Sequence, residues 1–236
     1  MKSVTVALVM CFAIVTAGHR EALAAGCDPH GSDVIGAKFA YALQSNYSAI
    51  DGVRASLLEY RPYVPFELFK TRSTSAWVML SQAGYPRWAQ IGWYEYALNY
   101  RKVFAQFWNG SGYPTYEWNP NPDWTYGEYK VVYTGSLFQF YNRGSLFLSA
   151  NAAFNPNQGE IASEIANELN QMPGDYGARS WMAFNSMNKR VSGTWSAYSP
   201  SSVGTSNNTK FYASNARGGM DPLRQLVTAD RRGDCS

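Results

Sequence analysis

Apolar and polar side chains exchange places every one or two positions through most of the chain, in short runs separated by turn-forming residues. STSAWVMLSQ (73–82), RWAQIGWYEY (87–96), RKVFAQFW (101–108), EYKVVYTG (128–135), LFQFYNRG (137–144) and SLFLSANAAF (145–154) are all rich in β-branched or aromatic residues. Alternation with a period of two predicts half-buried strands. In RWAQIGWYEY it sorts Trp88, Gln90, Gly92, Tyr94 and Tyr96 onto one face, and Ala89, Ile91, Trp93 and Glu95 onto the other. Gly84-Tyr85-Pro86, Asn109-Gly110-Ser111-Gly112 and Asn142-Arg143-Gly144 supply the breaks. Upstream, GAKFAYALQ (36–44) and GVRASLLEYRP (52–62) read as two more strands with Asp51-Gly52 between them. Many short strands at close spacing predict an all-β chain, an antiparallel two-sheet sandwich or jelly roll of the concanavalin-like kind.

One stretch is ambiguous. In GEIASEIANELNQMPG (159–174), Glu160, Glu164 and Glu168 recur every fourth residue, and so do Ile161, Ile165 and Leu169. A period of four fits a helical stripe and a strand face alike. Ala, Glu and Leu favour helix, whereas the strand-rich surroundings and the brackets Gly159 and Met172-Pro173-Gly174 favour one long strand over 159–170. As a strand it turns the aliphatic residues to a core and lines three carboxylates outward or into a cleft. The Ser/Asn/Gly-rich piece at 196–209 reads as a surface loop, and 221–235 as a short helix or strand.

The N-terminus begins with Lys2 and the apolar run VTVALVMCFAIVTA. Its position and shortness predict a secretory signal peptide over 1–25, cut after Ala25, with Ala17 as a second cleavage point and lipidation of Cys27 as a further alternative. No later stretch is apolar enough to span a bilayer. The remaining 26–236, about 210 residues, suits one secreted, monomeric domain. Cys27 and Cys235 then stand at opposite ends of the mature chain. An oxidising compartment predicts a single disulfide between them, which would set the two termini side by side; two free thiols are the alternative. Loss of Lys2, Arg20 and Glu21 with the signal lowers the formal charge from +3 to +2. That is too mild for a nucleic-acid surface.

Composition narrows the chemistry further. His30 is the single histidine left after processing at Ala25, so histidine-dependent nucleophilic catalysis and a His/Cys zinc site lack their parts. No phosphate loop or dinucleotide fingerprint is present, and no cofactor or metal is expected. What remains is carboxylate, amide and aromatic, with eight Trp and seventeen Tyr. That inventory suits acid–base hydrolysis by carboxylates or stacking on sugar rings.

The run SAWVML followed by AQIGWYEYALNYRKVFAQFW (75–108) resembles the core of neprosin-type glutamic peptidases, with their A-W-V strand, Q-x-G-W strand and aromatic F-x-x-W strand. SEIANELNQMPG (163–174) resembles the same family's G-G-E-V strand and Q-M-G turn, although Ala162-Ser163 stands where the family has Gly-Gly. The resemblance implies a secreted β-sandwich peptidase that pairs a glutamate with a glutamine or a second glutamate. By matching motif it makes Gln90 the amide and Glu164 the carboxylate, beside Trp88, Tyr94, Tyr96, Glu160 and Glu168 as substrate-binding residues. In that scheme an ionised Glu164 takes a proton from water and Gln90 steadies the developing oxyanion. Repulsion among the carboxylates favours an acidic optimum. The substrate would be a polypeptide. A glycan, held on a lectin-like jelly roll as by a carbohydrate-binding module or glycosidase, is the alternative.

Overall fold

The computed structural model describes residues 35–44, 50–58, 73–96, 100–119, 126–167, 181–198, 202–205, 211–214 and 224–230. Residues 1–25, where a signal peptide is expected, lie outside the described residues, as do Cys27, His30, Glu168 and Cys235 and with them the disulfide expectation. The described elements are all strands: β1 (Ile35–Gln44), β2 (Ile50–Leu58), β3 (Ser73–Ser81), β4 (Trp88–Tyr96) and β5 (Tyr100–Phe107). They continue with β6 (Thr115–Trp118), β7 (Tyr126–Tyr133), β8 (Leu137–Asn142), β9 (Ser145–Asn151) and β10 (Gln158–Asn167). Last come β11 (Trp181–Val191), β12 (Thr194–Ala197), β13 (Ser202–Thr205), β14 (Phe211–Ser214) and β15 (Arg224–Asp230).

Two antiparallel sheets form a sandwich. The first has the order β13-β1-β10-β3-β4-β5-β6, and the second β14-β15-β11-β2-β7-β8-β9 with β12 paired to β11. The acidic repeat is therefore extended chain as far as Asn167. β10 lies between β1 and β3, with Ile161 opposite Val78 and fully buried. Local helix propensity loses here because both edges of the segment find partner strands and Ile161 finds the core. The Asn142-Arg143-Gly144 turn also forms, with φ of 50° at Arg143 and 79° at Gly144, the positive pair that matches the twist of a two-residue hairpin.

Two expectations need correction, and one left open between helix and strand is decided. Asp51-Gly52 does not separate two strands; both residues lie within β2, where Gly52 leaves room for Arg190 and Trp195. The stretch 196–209 is not wholly loop, since β12 ends at Ala197 and Ser202–Thr205 pairs with β1 as β13. The tail contains a strand, β15, between β11 and β14. β6, β11 and β14 had no sequence expectation, and β11 was hard to see because WMAFNSMNKRV mixes Asn, Lys and Arg into the strand.

The core between the sheets is built from the inward faces. Ala76, Val78, Leu80, Ile91, Trp93, Val103 and Phe107 of the first sheet meet Val53, Leu57, Tyr129, Val131, Phe138, Phe140 and Phe184 of the second. Each large side chain removed from water contributes about 1.5–3 kcal/mol. Glu95 also points inward, as its alternation requires, and is held by Arg101 directly opposite at 2.6 Å. A further tie crosses the layers: Tyr198, which donates its backbone N–H to Met187 of β11, donates its hydroxyl to the Gly159 carbonyl of β10 at 2.6 Å.

Among the described glycines, Gly92 has the least room. A Cβ there would lie 2.0 Å from the Ala76 carbonyl oxygen and 2.7 Å from the Trp77 Cα. Gly92→Ala must therefore push backbone apart, and is expected to cost on the order of 3 kcal/mol or more. Urea unfolding measures it; a midpoint equal to wild type would refute this account of the packing.

Candidate active site

The other face of the first sheet is unusual for a sandwich, because it is buried although it faces away from the core. An outward sheet face is ordinarily polar and wet. Here Trp77, Met79, Trp88, Tyr94, Phe104 and Ala162 form a second apolar cluster, and Gln90, Gln106, Glu160 and Glu164 are buried among them. Alternation places these residues. Gln90 shares its face of β4 with Trp88 and Tyr94, and Glu160 shares its face of β10 with Glu164. The backbone of Tyr96 pairs within the sheet, but its side chain lies outside the described residues.

Strand register then decides which residues stand level. Glu160 is opposite Met79, Met79 opposite Gln90, Gln90 opposite Gln106, and Gln106 opposite Thr115. Glu160 and Gln90 thus occupy one row, two strand spacings or about 9–10 Å apart at the backbone, with Met79 as the floor between them. Glu164 belongs to a different row, opposite Ser75, which is opposite Tyr94. Four residues along β10 put it about 13 Å from Glu160. The geometry thus brings together Gln90 and Glu160, and the pairing of Gln90 with Glu164 expected from sequence is not level.

The Gln90 amide is oriented by its neighbours. Its Nε2 donates to Gln106 Oε1 at 3.0 Å, while Gln106 Nε2 donates to Thr115 Oγ1 at 3.0 Å. Trp88 Nε1 also donates to Gln106 Oε1, at 3.4 Å. This amide chain uses one of the two Gln90 N–H donors and leaves the other for a ligand. Gln106 was not singled out from the sequence, although it sits on the outward alternation of RKVFAQFW. Trp88 is stacked on Tyr113 at 3.6 Å between ring centroids, and Tyr113 donates its hydroxyl to the Pro86 carbonyl at 2.9 Å. Burial pushes the Tyr113 phenol up to about 12.

Both carboxyls are shifted. Burial pushes Glu160 up to about 8; a hydrogen bond from the Tyr85 hydroxyl opposes the rise and nearby Glu164 adds to it. Glu160 Oε2 is buried with no hydrogen-bond partner. Burial also pushes Glu164 up to about 7, against hydrogen bonds from Trp77 and Ser75; the Trp77 Nε1 contact to Oε2 is 3.2 Å. Desolvation is thus the main cause, and repulsion between the carboxylates is the lesser one. Further along the face, Tyr94 donates its hydroxyl to Glu117 Oε1 at 2.5 Å.

One outer face of the two-sheet sandwich thus buries acidic, amide and aromatic side chains together. Two solved structures are similar to it in fold. Scytalido-glutamic peptidase, solved with a peptide-based transition-state analogue, overlays with a TM-score of 0.59 at 11% identity, over 84% of this chain and 99% of that one. SCP-B, a member of the eqolisin family of peptidases solved with the tripeptide Ala-Ile-His, overlays with a TM-score of 0.56 at 11% identity and the same coverage. A looser overlap, TM-score 0.38 over 52% of this chain and 56% of that one, is found with a Bacillus licheniformis β-glucanase. At such identities the likeness is one of fold. No protein-family model matches the chain, and no curated protein matches its sequence.

Proposed function

We propose that the protein is a secreted glutamic endopeptidase that works in acid, with Glu160 and Gln90 as its catalytic pair. The observation that carries this reading is the single buried row in which a carboxyl with a bare oxygen and an oriented amide flank Met79. The sandwich shared with two glutamic peptidases supports it. Within that class, the A-W-V and Q-x-G-W stretches favour the neprosin-type branch. The G-E-I at 159–161 also carries the glycine that the family motif sets before its glutamate, which Glu164 lacks.

The raised carboxyl changes the order of proton transfer from the one read in the sequence. Below about pH 8 Glu160 is protonated, so it acts first as an acid. It gives its proton to the scissile carbonyl oxygen as water adds to the carbon. The free N–H of Gln90 donates to the same oxygen and steadies the charge that develops there. The Glu160 carboxylate takes a proton from the added water and passes it to the amide nitrogen. The C–N bond breaks, the amine leaves, and a proton from the diol carbon's hydroxyl returns to Glu160. Acid and amine are released and the carboxyl is again protonated.

Activity therefore holds through the acid range and is lost as pH rises through about 8. Incubation with an unstructured polypeptide at pH 3–5 and at pH 9, read by product masses, tests this; cleavage at pH 9 with none at pH 4 would invert the assignment. A retaining glycosidase pairs two carboxyls about 5–5.5 Å apart, whereas the row described here pairs a carboxyl with an amide. The stacked Trp88–Tyr113 pair is what remains in favour of a glycan.

A further inference from the structure

Tyr85 lies at the tip of the hairpin joining β3 to β4. That hairpin is closed by Gln82 N–H to the Arg87 carbonyl at 3.0 Å and by Tyr85 N–H to the Gln82 carbonyl at 2.9 Å. It is tied down on both flanks: Ala83 N–H donates to Asn157 Oδ1 at 2.8 Å, beside the start of β10, and Tyr113 donates to Pro86 on the other side. Tyr85 itself has φ of 60°. Among the described residues, the other non-glycine positions with positive φ are Arg143, Ser186 and Ser192, in two hairpin turns and a bulged stretch of β11. A bulky aromatic in that region is a backbone outlier, and such outliers persist where surrounding structure imposes them, often at functional sites. The ring remains 39% exposed, so burial of an apolar side chain does not explain the conformation. In this conformation the hydroxyl lies within hydrogen-bonding reach of Glu160.

We propose that Tyr85 is a positioning residue for Glu160: its hydroxyl holds one carboxyl oxygen, so that the other, Oε2, carries the proton and faces the reacting carbonyl. A protonated carboxyl has one O–H and one carbonyl oxygen, and a phenol O–H can donate to the latter. The tyrosine thereby selects which oxygen bears the proton. The unpartnered Oε2 is the oxygen left over, and it is the one to which the proton transfers of the scheme above fall. The inference rests on the peptidase reading. The ionisable groups acting on Glu160 are Glu164 on its own strand and Tyr85 on the hairpin; β3 and β4 offer Met79 and Gln90 in its row.

The test uses Tyr85→Phe, which keeps the ring and removes the hydroxyl, and Tyr85→Gly, which suits the positive φ. Glu160 is titrated in the full mature chain by carbon-13 detection of labelled glutamate carboxyls, assigned with Glu160→Gln. Because the lost bond favoured the ionised form, Tyr85→Phe is expected to move the Glu160 midpoint upward. It also lowers kcat about 10–100-fold with KM unchanged, and carries the alkaline limb of the rate profile upward with the midpoint. Tyr85→Gly is expected to raise Tm while lowering kcat, a combination that a merely structural residue would not give. An unmoved midpoint, or an unmoved kcat in an active enzyme, overturns the role of Tyr85 and leaves the catalytic pair standing. A wild-type protein that cleaves no polypeptide overturns the peptidase reading and this role together.

Discussion

Glu160→Gln is expected to abolish hydrolysis, lowering kcat by about 10³-fold or more, because in the proposed reaction every proton passes through this one carboxyl. Gln90→Ala is expected to cost about 10²–10³-fold, the usual toll for removing one donor to a developing oxyanion. Glu164→Gln should retain most activity. Its carboxyl stands in the next polar row, held by Trp77 and Ser75, and an amide can keep a hydrogen bond from the indole. Single-turnover rates at pH 4 on one unstructured substrate order the three variants. If Glu164→Gln is dead and Glu160→Gln active, the pairing read from the sequence motif is the right one and the level row is incidental.

The second large effect is on folding. Glu160 and Glu164 sit near 8 and 7 in the folded chain against an ordinary 4.5. Carboxyls raised in this way bind protons more tightly folded than unfolded. The stability they confer is fully present below about pH 4.5, and falls as pH rises towards about 8. For Glu160 alone the loss is on the order of 3–5 kcal/mol. At about 2–4 °C per kcal/mol for a chain of this size, wild type is expected to melt roughly 10 °C lower at pH 9 than at pH 5. Glu160→Gln cannot ionise and should flatten that dependence, ending more stable than wild type at pH 9. Calorimetry of both proteins across the range decides it. A wild-type Tm that climbs from pH 5 to pH 9 would mean that water reaches these carboxyls.

The alternation of β3, β4, β5, β7 and β8 made most of the sandwich legible in the sequence, because each strand has one face on a core and carries the period openly. Gln90, Trp88 and Tyr94 were placed on one face by the same counting. What counting within a strand cannot supply is register between strands. Glu160 and Glu164 share a face of β10, so only their opposite numbers on β3 and β4 decide which one meets Gln90. Gln106 was missed for a related reason: its role lies in a bond to another strand. The burial that raises both carboxyls was also invisible, since an outward face reads as solvated until something covers it. β11 escaped because polar residues interrupt its pattern, and β6 because four residues are too few to show a period.

The Tyr198–Gly159 bond has a consequence for how this molecule tolerates change. Gly159 immediately precedes Glu160, so a strut between the layers ends at the backbone that aims the carboxyl. The separation of the two sheets is thereby linked, through one bond, to the backbone beside Glu160. Enlarging or shrinking a side chain deep between the layers near Tyr198 is therefore expected to shift Glu160 as well.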